Sequence, residues 1–232
     1  IADNLETVTR RIQKATLNAG RAPDSVRLMA VSKTRSASDL RAAHKAGQKA
    51  FGENYLQEAL GKIEALSDLP DLEWHFIGPI QSNKTRQIAE AFDWVHSVDR
   101  LKIARRLSEQ RGESRTPLNI CLQINVNEED SKAGCLLAEL PALVRELMTL
   151  PNIRLRGLMA IPDPDQPEAD LKASFRGLAD ALDRLRQEHY DRENPNTMLD
   201  TLSMGMSADL ETAIEAGATW VRIGTAIFGA RD

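Results

Sequence analysis

Short apolar runs alternate with longer amphipathic stretches along most of the chain, and this rhythm restricts the fold more than any other feature. The strand candidates are residues 27–32, 49–52, 73–77, 93–97, 118–125, 153–160, 199–203 and 219–223. Between them, residues 37–47, 54–66, 83–91, 100–111, 136–149, 168–190 and 208–217 show helical spacing. A further helix is expected over residues 3–19, with Leu5, Val8, Ile12, Ala15 and Leu17 at helical intervals and Gly20 to end it. Strand alternating with helix predicts parallel pairing, because a parallel neighbour needs a crossover. Eight such units predict an α/β fold, a single (β/α)8 TIM barrel over residues 1–232. Little chain follows the eighth run, so the N-terminal helix is expected to complete the outer ring. An open doubly wound sheet is the alternative, and eight strand candidates in one compact chain favour the barrel.

Chemistry in such barrels gathers where strands end. The first strand leads from Leu28-Met29-Ala30-Val31-Ser32 into Lys33. A lysine at that exit is partly desolvated, which disfavours its ammonium form and frees the amine to attack a carbonyl. The plain reading is a solvated strand-end cation; the sharper one is a Schiff base with a substrate or with pyridoxal phosphate. The seventh and eighth strands are the usual place for a phosphate site. There Ser203-Met204-Gly205-Met206-Ser207 allows a sharp turn, with Ser207 expected to cap helix 208–217, and Gly224-Thr225 offers an open backbone approach and a hydroxyl. Asp209 and Glu211 in the first turn count against an anion site made by that helix alone. Arg222 alternates with Val221 and Ile223 and needs a partner if it turns inward. It could pair with a carboxylate on a neighbouring strand or donate to a ring nitrogen.

Composition removes several classes of function. Net charge is −4, and no basic stripe with interleaved aromatics suggests nucleic acid. No apolar run approaches the roughly 20 residues of a membrane span. The polar start Ile1-Ala2-Asp3-Asn4 does not read as a signal peptide, and two cysteines, Cys121 and Cys135, make no disulfide framework. A cytoplasmic protein with reduced thiols is expected. His44, His75, His96 and His189 lack metal-ligand spacing; His75 and His96, inside apolar runs, read as core histidines.

Six ordered motifs carry a resemblance. They are Ala30-Val31-Ser32-Lys33-Thr34, Phe51-Gly52-Glu53-Asn54-Tyr55, the run from Trp74 to Lys84, Gly157-Leu158-Met159-Ala160-Ile161, Leu202 to Ser207, and Val221-Arg222-Ile223-Gly224-Thr225. Together they resemble the pyridoxal phosphate homeostasis proteins, a family similar to the barrel domain of alanine racemase, over about Val26 to Arg231. The resemblance implies that Lys33 carries pyridoxal 5'-phosphate as a Schiff base. It implies that Ser207, Gly224 and Thr225 bind the phosphate with Ser203 and Met204 nearby, that Arg222 faces the pyridine nitrogen, and that Asn54 and Met159 line the cofactor.

An arginine cannot take the ring proton, so the cofactor is expected to be a weak electron sink. Racemisation also needs bases on both faces of the ring, and the second domain that supplies one in alanine racemase is expected to be missing. The leading expectation is therefore a non-catalytic, monomeric pyridoxal phosphate carrier. It would buffer the cofactor or deliver it to apo enzymes, with effects on amino-acid and keto-acid balance. One alternative is a racemase-like enzyme of weak or narrow activity, in which Tyr55 rather than the distant Tyr190 would be the candidate second base. Another is a Schiff-base aldolase acting on a phosphorylated sugar. Lys132, in the polar loop 127–134 at the expected mouth, reads first as a solvated lysine and secondarily as a transient attachment point during delivery.

Overall fold

The eight apolar runs form one parallel sheet. In a computed structural model, which describes residues 1–231, the strands are β1 (Arg27–Val31), β2 (Ala50–Glu53), β3 (Glu73–Phe76), β4 (Trp94–Val98), β5 (Leu118–Gln123), β6 (Ile153–Met159), β7 (Thr201–Ser203) and β8 (Trp220–Ile223). They pair in sequence order into a closed barrel, with Ala30 of β1 opposite Ile223 of β8. The open-sheet alternative is thereby excluded.

The helices are α1 (Ala2–Asn18), α2 (Ala37–Lys45), α3 (Leu56–Ala65), α4 (Thr85–Ala91), α5 (Leu101–Arg111), α6 (Leu140–Leu147), α7 (Glu168–His189), α8 (Leu210–Ala216) and the short α9 (Thr225–Phe228). Local chemistry sets several of their starts. At α2, the Ser36 hydroxyl accepts from Asp39 N–H while the Asp39 carboxylate accepts from Ser36 N–H, a reciprocal cap. Helices α4 and α6 begin later than their apolar spacing suggests, because 3-10 turns at Ser82–Lys84 and Leu137–Glu139 precede them. As expected, α1 completes the ring after β8. Its Asn4 amide donates to the Ile227 carbonyl at 2.9 Å, and Arg11 pairs with Glu211 of α8.

Alternation along each strand produces two packed layers. One set of side chains, including Ala30, Phe51, Phe76, Val95, Ile120, Leu158, Leu202 and Val221, packs against the helices. The other set fills the barrel: Met29 and Ala50 pack with Trp220, and Trp94 packs with Cys121 and Met159. His75 stacks on Trp94 with centroids 5.5 Å apart and meets Trp220 edge-on at 4.7 Å. Arg27 lies over Trp220 and Arg156 over Trp94, so an aromatic plug with cationic caps closes the lower barrel. Ligand-sized space remains at the carboxyl end of the strands. No helix among the described residues is long and apolar enough to cross a membrane.

Candidate cofactor site at the barrel mouth

Lys33 lies two residues beyond the end of β1, on the same parity as inward-facing Met29. It is half-buried, and burial, with a smaller contribution from Arg231, lowers its pKa below the ordinary lysine value. Thr34 then turns the chain with φ +64°, a strained value for a β-branched residue. Two side chains of α3 hold this turn. Lys62 Nζ donates to the Ser32 carbonyl at 2.7 Å, and the Glu58 carboxylate accepts from Thr34 N–H. Lys62 also contacts Glu58 at 2.7 Å and the fully buried Glu53 at 2.6 Å. The Glu53 contact is a close ion pair without hydrogen-bond alignment, so both carboxylate oxygens lack a directed partner. Burial pushes Glu53 up to about 7 against the pull of Lys62.

The strands flanking β1 bring the other candidates to Lys33. On the β2 side, Asn54 leaves the strand with its Oδ1 buried and without a hydrogen-bond partner. Gly78 makes room for it: a Cβ there would come within 2.2 Å of the Asn54 carbonyl oxygen. On the β8 side, Gly224 passes close to Val31, and Thr225 follows it, exposed at the mouth. The turn after β7 contacts β8 directly, since Arg222 N–H donates to the Gly205 carbonyl at 2.9 Å. Gly205 has φ +100° and packs against Ala213, conditions that favour glycine there.

Ser207 is half-exposed beside this turn but does not cap α8. Asp209 precedes the first helical residue, and its carboxylate accepts from Met206 N–H at 2.7 Å, tightening the turn and delaying the helix. The Met204 side chain is buried in the layer between sheet and helices, which leaves its backbone for the site. Met159 lies fully buried inside the barrel, below the mouth.

Arg222 is buried and has no carboxylate partner among the described residues. Its Nη1 donates to Ser203 Oγ at 2.8 Å and its Nη2 to the Ala160 carbonyl at 2.9 Å. Burial lowers its pKa to about 10. The ion pair anticipated as an alternative on a neighbouring strand is absent, and the hydroxyl of Ser203 is committed to the barrel interior.

Beside these residues a cavity of about 490 Å³ is lined by Asn54, Ile77, Gln123, Asn125, Lys132 and Pro162, among others. Its walls are tied together. Asn127 Oδ1 accepts from Asp163 N–H at 3.1 Å, and Asn127 Nδ2 donates to Gln166 at 3.2 Å, joining loop 127–134 to loop 162–168. The Asn125 amide donates to the Glu129 carbonyl, folding the first of these loops over itself, and Lys132 Nζ lies 3.3 Å from Glu129.

The chain matches the family model for the alanine racemase N-terminal domain over residues 3–232. It is 61% identical to the pyridoxal phosphate homeostasis protein of Pseudomonas aeruginosa, covering 100% of this chain and 96% of that one. It is 50% identical to the protein of the same name from Escherichia coli, covering 100% and 97%. The chain belongs to the pyridoxal phosphate homeostasis protein family. A solved structure of PipY from Synechococcus elongatus with pyridoxal phosphate bound is similar at 41% identity and TM-score 0.80, covering 94% of this chain and 100% of that one. Alanine racemase from Corynebacterium glutamicum shares the fold, with TM-score 0.69 at 17% identity; this chain covers 61% of it.

The residues at the mouth suit the group that PipY holds. Lys33 supplies an amine of lowered pKa, and the orphaned Asn54 Oδ1 can accept a hydrogen bond. Ser207 and Thr225 supply hydroxyl donors for a phosphate, and Arg222 supplies N–H groups beyond the two already engaged.

Two further constellations stand behind and beneath these residues. One is Lys62 with Glu53 and Glu58 behind Lys33. The other is a series that runs through the barrel interior from partly exposed Glu73: Glu73 Oε1 to His75 Nε2 at 2.7 Å, His75 Nδ1 to His96 Nε2 at 2.8 Å, and His96 Nδ1 to Ser203 Oγ at 2.8 Å. The second left a readable trace, since Glu73 and His75 share one face of a strand. Lys62 left none, being an ordinary helix lysine in the sequence.

Proposed function

We propose that this protein binds pyridoxal 5'-phosphate on Lys33 and serves in its homeostasis, buffering the cofactor and delivering it to apo enzymes. The observation that carries the reading is the position of Lys33, a half-buried amine of lowered pKa between Asn54 on one side and Gly224-Thr225 on the other. Bound pyridoxal phosphate supplies an aldehyde that condenses with a primary amine, forming a C=N bond and releasing one water. Lys33 is the amine with the depressed pKa that this needs. Thr225, Ser207 and the backbone around Gly224 would hold the phosphate, Asn54 would border the ring, and Met159 would form the floor beneath it.

Arg222 decides what the site is good for. A guanidinium donates and does not accept, so a ring nitrogen facing it stays without a proton. That weakens the cofactor as an electron sink and favours holding over turnover. The relatives named above carry names that describe homeostasis, consistent with a non-catalytic role. Such a carrier belongs in the cytoplasm, acts as a monomer, and shifts amino-acid and keto-acid levels through the enzymes it supplies. A racemase-like enzyme of narrow activity is the competing reading. Tyr55, exposed at the rim, is its candidate second base.

The test mixes cofactor-loaded protein with an apo pyridoxal phosphate enzyme and, separately, with single amino acids. Restored activity of the apo enzyme, without racemisation or deamination of the amino acids, is expected. Turnover of any common amino acid at about 1 s⁻¹ or faster, an ordinary enzymatic rate, would replace the carrier reading with the enzyme reading.

A further inference from the structure

We propose that Glu73, at the base of the barrel, is a positioning residue for Arg222 at the mouth, acting through a one-directional hydrogen-bond chain over His75, His96 and Ser203. The inference rests on the reading above, in which Arg222 faces the cofactor ring. It adds a distant carboxylate and two histidines to the groups that shape the site.

The chain has five members and four links. Arg222 Nη1 lies 2.8 Å from Ser203 Oγ, Ser203 Oγ 2.8 Å from His96 Nδ1, His96 Nε2 2.8 Å from His75 Nδ1, and His75 Nε2 2.7 Å from Glu73 Oε1. Both histidines are completely buried, and burial lowers the pKa of each; His75 and Arg222 add to the effect on His96. Two neutral imidazoles therefore form the middle, each with one donor and one acceptor nitrogen.

The ends set the direction. Arg222 can only donate. Glu73 feels the opposing effect of burial, but His75 and Arg27 outweigh it and hold the carboxyl below its ordinary value. An ionised Glu73 can only accept. His75 must then carry its proton on Nε2, which leaves Nδ1 to accept from His96 Nε2–H. His96 Nδ1 accepts in turn from the Ser203 hydroxyl, whose lone pairs face Arg222. Reversal would set the His75 Nε2 lone pair against a carboxylate. It would also make Ser203 accept from both neighbours and leave its O–H without a partner in the core, which is costly.

The consequence is fixed geometry at the mouth. Ser203 holds Nη1 and the Ala160 carbonyl holds Nη2, so the guanidinium is anchored at two points on neighbouring strand ends. Its remaining N–H groups are aimed by that anchoring. An acceptor lost at Glu73 releases the direction of every link above it. Glu73 touches neither cofactor nor mouth and is partly exposed beside Arg27, so it can be changed without opening the core.

The experiment reads histidine tautomers and arginine side-chain mobility by ¹⁵N NMR in the cofactor-free protein, then the affinity for pyridoxal phosphate. The variants are Glu73→Gln, whose amide oxygen can still accept, Glu73→Leu, which has no acceptor, and Arg27→Gln as a control for the lost ion pair. Wild type, Glu73→Gln and Arg27→Gln are expected to show both rings as neutral Nε2–H tautomers and slow rotation of the Arg222 guanidinium. Folded Glu73→Leu is expected to lose the His75 tautomer, rotate Arg222 faster and bind pyridoxal phosphate about tenfold more weakly. An Nδ1–H tautomer in wild type, or unchanged Arg222 rotation in folded Glu73→Leu, overturns the proposal. Failure of wild type to bind the cofactor would instead overturn the function proposed above, while the NMR readings still judge the chain.

Discussion

Lys62 Nζ donates to the carbonyl of Ser32 at 2.7 Å, one residue before Lys33, while its partner Glu58 accepts from the N–H of Thr34, one residue after it. The peptide groups on both sides of Lys33 are thus pinned to α3 by a single ion pair, and the positive φ of Thr34 is held in place by it. In the proposed role, a lysine that takes up and releases a ligand gains from a backbone that does not move when it does so.

Removing that clamp should be expensive. Above about pH 7, where Glu53 gives up its proton, Lys62→Met leaves it as a buried carboxylate without its counter-ion, and breaking such a pair costs about 3–5 kcal/mol. Urea unfolding of Lys62→Met should show a loss of that order. The double variant Lys62→Met with Glu53→Met should recover a large part of it, because no unpaired buried charge remains. Equal stability of the single and double variants would show that the pair does not couple.

Glu53 should impose a pH slope on stability. The native carboxyl keeps its proton up to about 7, whereas the unfolded chain releases it near 4.5. Between those values the native state binds more protons, so stability from this group is present at low pH and falls as pH rises through the window. Glu53→Gln should remove that descent, as read from unfolding midpoints at pH 5, 6, 7 and 8. A wild-type curve parallel to that of Glu53→Gln would contradict the assignment.

Gly78 tests the close approach beneath Asn54. An added Cβ would lie 2.2 Å from a backbone oxygen and cannot be relieved by a side-chain rotation. Gly78→Ala should cost about 3 kcal/mol or more, at the upper end for overpacked sites. It should also weaken cofactor binding by moving Asn54. Gly61, on an exposed face of α3 with open space around it, supplies the contrast: Gly61→Ala should be neutral or slightly stabilising.

The thiols should be silent. Burial pushes Cys135 up to about 12 and Cys121 higher still, and both are enclosed. A thiol reagent should label neither in the native protein and both in denaturant. Rapid labelling of either native cysteine would contradict the packing described around it.

The barrel was legible because its signals are local. Eight apolar runs, each a few residues long and separated by helical stretches, can close in few ways, and Lys33, Asn54, Arg222 and Gly224-Thr225 all stand where strands end. What was hidden depends on register between strands. His75 and His96 are both visible as core residues, yet that their rings meet, and that Ser203 continues the line, follows only from how β3, β4 and β7 are staggered. The delayed start of α8 was hidden for a similar reason. Asp209 competes for the Met206 N–H, and its side chain reads equally well as a first-turn acid. The burial of Lys62 depends on Glu53, which ends a neighbouring strand.

Cofactor binding turns on Lys33, and the most direct measurement locates the cofactor chemically. Protein incubated with pyridoxal phosphate is reduced with borohydride, digested and mapped by mass spectrometry, beside Lys33→Ala. A single major adduct on Lys33 and a visible absorption band before reduction are expected, both lost in the variant. An adduct concentrated on another lysine, or a wild type that takes up no cofactor, would contradict that role for Lys33.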